Sequence, residues 1–147
     1  MIHTILVPTD FSDAANLALE RAEGLARSTQ GEIVLLHVRE DYPMMALDGT
    51  GFVSPGVDLE MRAALEKALE EKVAAVRKRG VAARGCTVAG AAHLQIGAVA
   101  ESEKVDMIVM GSHGRHGFGR LVLGSVSERV ARTATVPVMV VRPASPS

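Results

Sequence analysis

Between Val105 and Ala134 the chain runs from an apolar segment into a glycine-crowded stretch and out again into a helical pattern. Few folds can use that passage. Met107-Ile108-Val109-Met110 reads as a strand with no polar face, as expected in a parallel sheet covered on both sides. Four glycines follow within Gly111-Ser112-His113-Gly114-Arg115-His116-Gly117-Phe118-Gly119. Glycine lets a ligand come close to backbone N–H groups. Gly124-Ser125 then opens a helix that turns Val126, Val130 and Ala134 inward and Glu128, Arg129 and Arg132 outward. A helix N-terminus leaves N–H groups unpaired and presents the positive end of its dipole. Strand, glycine loop and helix N-terminus together form an arrangement that cradles phosphate.

The rest of the chain repeats the alternation. Ile2 to Val7 is a first buried strand, broken by Pro8-Thr9-Asp10-Phe11-Ser12. Ser12 is placed to cap a helix running to about Ser28, with Asp13 in its first turn and Ala14, Ala18, Ala22 and Leu25 on one stripe. Gly31 reads as the helix breaker. Ile33 to Val38 is a second strand, in which His37 reads as a hydrogen-bonded core residue. From Arg39 to Gly56, proline and glycine punctuate an irregular loop of a length often tied to function or mobility. Asp58 opens a helix with Leu65, Leu69, Val73 and Val76 at helical spacing, ending near Gly80. Val81 to Val88 is a third strand, which Arg84 and Thr87 put toward an edge, and Gly90 ends it. A helix from about His93 to Glu103 carries Leu94, Ile96, Val99 and Ala100. Val136 to Val141 is the fifth strand, with Pro137 tolerated at a strand start or edge. Pro143 to Ser147 reads as a disordered tail. The alternation predicts an α/β fold: a single open five-stranded parallel sheet with right-handed crossovers and helices on both faces, Rossmann-like.

Composition closes off other classes. The chain of 147 residues suits one domain, 1–147, with an adequate core. Sixteen basic and seventeen acidic residues leave a net charge of −1, which is no footprint for nucleic acid. No apolar run approaches the roughly 18 residues of a membrane span, and the N-terminus lacks the pattern of a signal peptide. The single cysteine, Cys86, excludes an internal disulfide framework and fits a reducing, cytoplasmic setting. With aromatics at 3%, the core must be aliphatic.

The familiar phosphate motifs do not fit the glycine stretch. A Walker loop needs Gly-Lys, and the chain has no such pair. The dinucleotide fingerprint fails because Val122 stands where the last glycine after Gly117 and Gly119 belongs. The spacing present is Gly111-x2-Gly114-x9-Gly124-Ser125. It resembles the nucleotide-binding motif of the universal stress protein family, without gap or substitution. The resemblance extends over nearly the whole chain, through Val7-Pro8-Thr9-Asp10-Phe11-Ser12, Leu35-Leu36-His37-Val38, Asp106 to Gly114, Gly124 to Val130 and Pro137 to Val141. One departure stands at Gly90-Ala91-Ala92, where the family has Gly-x-Pro opening a helix.

The resemblance implies a strand order of 3-2-1-4-5. The glycine loop and Thr9-Asp10 would then meet where the order reverses, the usual place for a ligand in an open α/β sheet. By the same resemblance, the ligand would be an adenine nucleotide: ATP, ADP or AMP. Backbone N–H groups at Gly111, Gly114 and Gly124, with Ser125, would hold its phosphates, Val126 and Ser127 would extend the helix N-terminus, and Met110 would belong to the same nucleotide-binding set. Val38 would meet the adenine through its backbone, and Pro8 and Thr9 would line the adenosine side.

Several residues carry two readings. Asp10 either accepts from ribose hydroxyls or binds Mg brought by the phosphates, or else it closes an Asx turn before the first helix. Arg115 and Arg120 either pair with phosphates or are solvated loop charges. His113 and His116 make a weak metal pair, with no third ligand indicated. The expected role is a regulatory or protective nucleotide-binding protein. The alternatives are a slow ATP hydrolase or nucleotide transferase, and a dimeric stress module that binds no nucleotide. No P-loop lysine is present, and Asp10 is the one evident candidate base, so fast hydrolysis is not expected. An apolar fifth strand at a sheet edge also predicts a homodimer through Val136 to Val141.

Overall fold

The structure, a computed structural model, describes residues 1–40, 55–113 and 123–144, the side chains of 55–57 excepted. Strands and helices alternate: β1 (Thr4–Pro8), α1 (Asp13–Thr29), β2 (Glu32–Arg39), α2 (Pro55–Lys78), β3 (Ala82–Ala89), α3 (Ala92–Ser102), β4 (Met107–Gly111), α4 (Ser125–Thr133) and β5 (Val138–Val141). Every strand pair is parallel and the order is β3-β2-β1-β4-β5, as the family resemblance implies.

The apolar runs explain the layering. Ile5 and Val7 on β1, Ile33 and Leu35 on β2, and Met107 and Val109 on β4 pack under α1 and α2. Leu6, Val34, Leu36, Ile108 and Met110 point the other way, under α3 and α4. Ile5, Leu6 and Val7 are all fully buried, so the middle of β1 is covered on both faces. Glu23 on α1 is the buried carboxylate of this core. Arg79, just past α2, donates to it through Nε at 2.8 Å and through Nη2, so the buried charge is paired.

Local differences from the sequence reading have simple causes. The first helix ends on Gln30, which takes the left-handed conformation (φ 56°) and donates its N–H to the Ala26 carbonyl. Gly31 therefore is not the turning residue. A side chain there would collide with the His3 carbonyl, so glycine is demanded by close approach. α2 begins at Pro55, not Asp58, because proline suits a first helical position and Asp58 then lies in the first turn. Leu94 is 63% exposed rather than inward; Ile96, Val99 and Ala100 carry the buried side of α3. β5 is confined to Val138–Val141, and Pro137 precedes it with its carbonyl accepting from the Ile108 N–H. Of the 39–56 loop, residues 41–54 lie outside the described residues, as do 145–147 of the expected tail. Among the described residues no helix is long and apolar enough to cross a membrane.

At the amino end of the sheet, Asp106 ties β4 to the start of the chain. Its Oδ2 accepts from the His3 and Thr4 N–H groups, each at 2.9 Å. Those two donors, Thr4 first, hold the Asp106 carboxyl below its ordinary range. A carboxylate with a depressed folded-state pKa stabilises the fold above its unfolded value, about 3.9. That stability is lost as pH falls through the folded-state value. Asp106→Ala is expected to lower the melting temperature at pH 7 and to leave little difference from the parent at pH 2, measured by circular dichroism. A gap that persists undiminished in acid would refute the assignment.

Candidate functional site

The strand order reverses between β1 and β4, and there the sheet opens. β1 and β2 are in register from Thr4–Glu32 through Pro8–Leu36, whereas β1 and β4 are in register only at Ile5–Met107 and Leu6–Ile108. Beyond those pairs the chain leaves β1 at Thr9 and β4 at Gly111, with a crevice between. β2 continues past Pro8 to Arg39 and walls one side, so Val38 sits two residues, about 7 Å, beyond the level of Pro8. Val38 packs against the α3–α4 core while its backbone faces β3 at Val88.

The other wall is the first turn of α4. Gly124 is its N-cap residue and has no side chain with which to cap it. The N–H groups of Ser125, Val126 and Ser127 therefore have no intrahelical acceptor, and the helix dipole adds its positive end. The contrast with the other helices is informative. Ser12 Oγ accepts from the Ala15 N–H and closes α1, and a Glu40 carboxylate oxygen accepts from the Ala92 N–H at the start of α3. Ser125 is exposed, while Ser127 is buried with its Oγ 2.8 Å from the Ser112 carbonyl.

Two motif glycines are explained by the protein's own packing. A Cβ on Gly111 would come within 2.9 Å of the Ala14 backbone, where the first turn of α1 crosses β4. A Cβ on Gly124 would lie 3.0 Å from the His113 Cα. The Gly124 N–H donates to the Ser112 carbonyl at 2.6 Å, so this donor is already engaged. Met110 is buried, and its side chain belongs to the α3–α4 core. Gly114 and Arg115, with His116 and Arg120, lie outside the described residues.

The turn after β1 is held in an unusual shape. Phe11 has φ 64°, a conformation bulky residues rarely adopt. Thr9 Oγ1 accepts from the Phe11 N–H and Asp10 Oδ1 from the Ser12 N–H, both at 3.0 Å. The Asx-turn reading of Asp10 is thus present in the structure. His37 Nδ1 lies 3.0 Å from the Thr9 carbonyl; a carbonyl only accepts, so Nδ1 carries the proton. The His37 ring also meets Phe11, centroid to centroid 5.0 Å. His37 is therefore hydrogen-bonded as expected, and its partner is the turn after β1. Neither this contact nor the role of Ser112 was open to a linear reading, since each joins elements distant in sequence.

Beside α1 runs a groove of about 600 Å³ lined by Ser12, Asp13, Asn16, Glu20, His113 and Pro143. Asp13 and Glu20 make this groove acidic, whereas the α4 side presents the N–H groups of a helix start. Among the described residues no cluster of three or more His, Cys, Asp or Glu is placed to hold a metal. Burial raises the Cys86 thiol above its ordinary range, with Glu103 adding to the effect, which makes it a poor nucleophile.

A parallel sheet of this order, with its strand order reversing between the first and fourth strands, defines the class of open, Rossmann-like α/β proteins. The universal stress protein family matches residues 1–142, and the chain belongs to that family. It is 32% identical to universal stress protein MJ0577 of Methanocaldococcus jannaschii over 97% of this chain and 96% of the relative. The solved structure of MJ0577 superposes with a TM-score of 0.77, at 31% identity and 99% coverage of both chains. A universal stress protein solved with cAMP matches at TM-score 0.70 and 24% identity, covering 96% of this chain and 97% of that one. One from Archaeoglobus fulgidus solved with dAMP matches at 0.68 and 24%, covering 97% and 100%. Those last two are likenesses of fold.

Gly111→Ala tests the packing account. Forcing a methyl against the Ala14 backbone is expected to cost about 1–3 kcal/mol in urea unfolding. Ala14→Gly, which removes the nearest side-chain atom but not the backbone, should restore little of it. An unchanged unfolding midpoint in Gly111→Ala would show that α1 can move away.

Proposed function

We propose that this chain binds an adenine nucleotide, ATP or its di- and monophosphate forms, in the crevice between β1 and β4, and serves as a regulatory or protective protein of the cytoplasm. The observation that carries the reading is the uncapped first turn of α4 at the sheet's reversal point, within Gly111-x2-Gly114-x9-Gly124-Ser125. Phosphates would meet the N–H groups of Ser125, Val126 and Ser127 and the Ser125 hydroxyl, with Gly111, Gly114 and Arg115 closing over them. Adenine would lie along the Val38 backbone, and Pro8 and Thr9 beside the adenosine. Asp10 has one oxygen on the Ser12 N–H; its carboxylate would serve a ribose hydroxyl or a phosphate-bound Mg. Adenine nucleotides in two proteins of the same fold support the ligand class. Fast phosphoryl transfer is not part of the reading, because catalysis of that kind needs a positioned base and concentrated positive charge.

Calorimetry with ATP decides the point. The parent is expected to bind and Gly114→Val to lose at least about tenfold in affinity, since a side chain would stand where backbone must approach phosphate. A parent that takes up no ATP, or a variant that binds as well, would end the proposal.

We further propose a homodimer through β5. The Pro137 and Val141 carbonyls face β4, so by alternation the N–H and C=O groups of Val138 and Val140 face the free edge. The side chains of Val138, Met139 and Val141 are already packed within this chain, so the partner would meet edge backbone and not the apolar faces expected from sequence. At the opposite edge, Arg77 Nε donates to the outward Ala83 carbonyl at 2.7 Å and obstructs pairing along β3. Sedimentation should give a dimer at micromolar concentration and a monomer for Val140→Pro, which removes an edge donor. A monomeric parent would exclude it.

A further inference from the structure

We propose that the two serines of Gly124-Ser125-Val126-Ser127 have separate tasks: Ser125 is left for the ligand, and the Ser127 hydroxyl is a clasp that positions the site without touching the ligand. Ser127 is 2% exposed, and its Oγ lies 2.8 Å from the Ser112 carbonyl and 3.0 Å from the Gly124 carbonyl. Both partners are carbonyls, which only accept. A serine hydroxyl has a single hydrogen, so it is consumed between them. The lone pairs that remain on Oγ can only accept, and a phosphate oxygen at neutral pH offers no proton. In this position the hydroxyl has nothing to give an anion, although the Ser127 N–H does.

What the clasp holds is the relation between sheet and helix. The Ser112 N–H donates to the Val141 carbonyl at 2.9 Å, which fixes Ser112 to β5. The Ser112 carbonyl then accepts from both the Gly124 N–H and the Ser127 hydroxyl. Ser112 is 3% exposed, so these bonds are shielded from water. The glycine at 124 lets the two segments touch, because a Cβ there would press on His113. The end of β4 and the start of α4 are thus joined at two points from one carbonyl. That junction fixes where the first turn of α4, with its N–H groups, stands relative to the end of β4. Ser125, by contrast, is exposed, and its side chain has no part in the junction.

The division between the serines rests on the nucleotide-binding reading, while the clasp itself does not, and the test separates them. Without nucleotide, Ser127→Ala is expected to melt several degrees below the parent and to speed amide exchange at Gly124 at least about tenfold. Ser127→Thr, which keeps a hydroxyl, should recover the slow Gly124 exchange, and Ser125→Ala should leave both measurements at parent values. Should Ser127→Ala fail to fold, Ser127→Cys, of similar size with a weak donor, is read in its place by the same two measurements. With ATP, Ser125→Ala should bind about tenfold more weakly while melting as the parent does. If the ligand-free Ser127 variant keeps the parent's melting temperature and Gly124 exchange, the clasp is wrong. If that variant loses ATP affinity alone, the hydroxyl is a ligand donor and the proposal is overturned. A parent that binds no ATP removes the nucleotide reading, and the ligand-free comparison still decides the clasp.

Discussion

The architecture depends on β1 and β4 having no polar face. Ile5, Leu6, Val7, Ile108 and Val109 are fully buried, so both sides of the sheet's centre must be covered. Right-handed crossovers can meet that demand only if the chain builds outward in one direction and then returns to build in the other. α1 and α2 then fall on one side and α3 and α4 on the other. The crevice is a consequence of this arrangement. Where construction changes direction, the connections after β1 and β4 depart to opposite faces and leave the strand ends uncovered between them.

Such a gap becomes a site through what lines it. One wall presents backbone N–H donors, because the first turn of α4 starts on glycine and has no side-chain cap from it. The turn after β1 does the opposite. It commits the Thr9 hydroxyl and an Asp10 oxygen to its own N–H groups and rests on His37. A left-handed Phe11 stores strain, and such strain persists only where neighbours over-determine it. The two walls therefore differ in kind: one has donors to offer, and the other is a fixed surface of settled shape.

Much of this was legible in the linear sequence for a definite reason. Continuous apolar runs and helical periodicity report burial, and burial decides layers, so strands and helices emerged within a few residues of their places. Capping signals were local, as Ser12 shows. What failed depended on distance across the fold. Gly31 looked like a helix stop because glycine commonly is one, yet Gln30 turned the chain and Gly31 made room for His3. Leu94 was grouped with the apolar residues of its helix by type alone, and the phase of α3 turns it to solvent. The glycine spacing marked a segment, but which of its N–H groups the fold itself engages depended on partners the spacing does not name. Gly124 is the clear instance: its N–H is held by Ser112, and the open donors are on Ser125, Val126 and Ser127.

The glycine motif therefore answers two demands at once. Gly111 is needed so that α1 can cross β4, and Gly124 so that the start of α4 can lie against His113. Both contacts bring helix starts close to the ends of the central strands: α1 arrives capped by Ser12, and α4 arrives with a glycine at its cap. A larger residue at either place would press on the protein's own backbone. Spacing of this kind is thus a specification of packing first. The uncapped start of α4 follows from it, because a helix start that must press against backbone cannot also carry a capping side chain of its own.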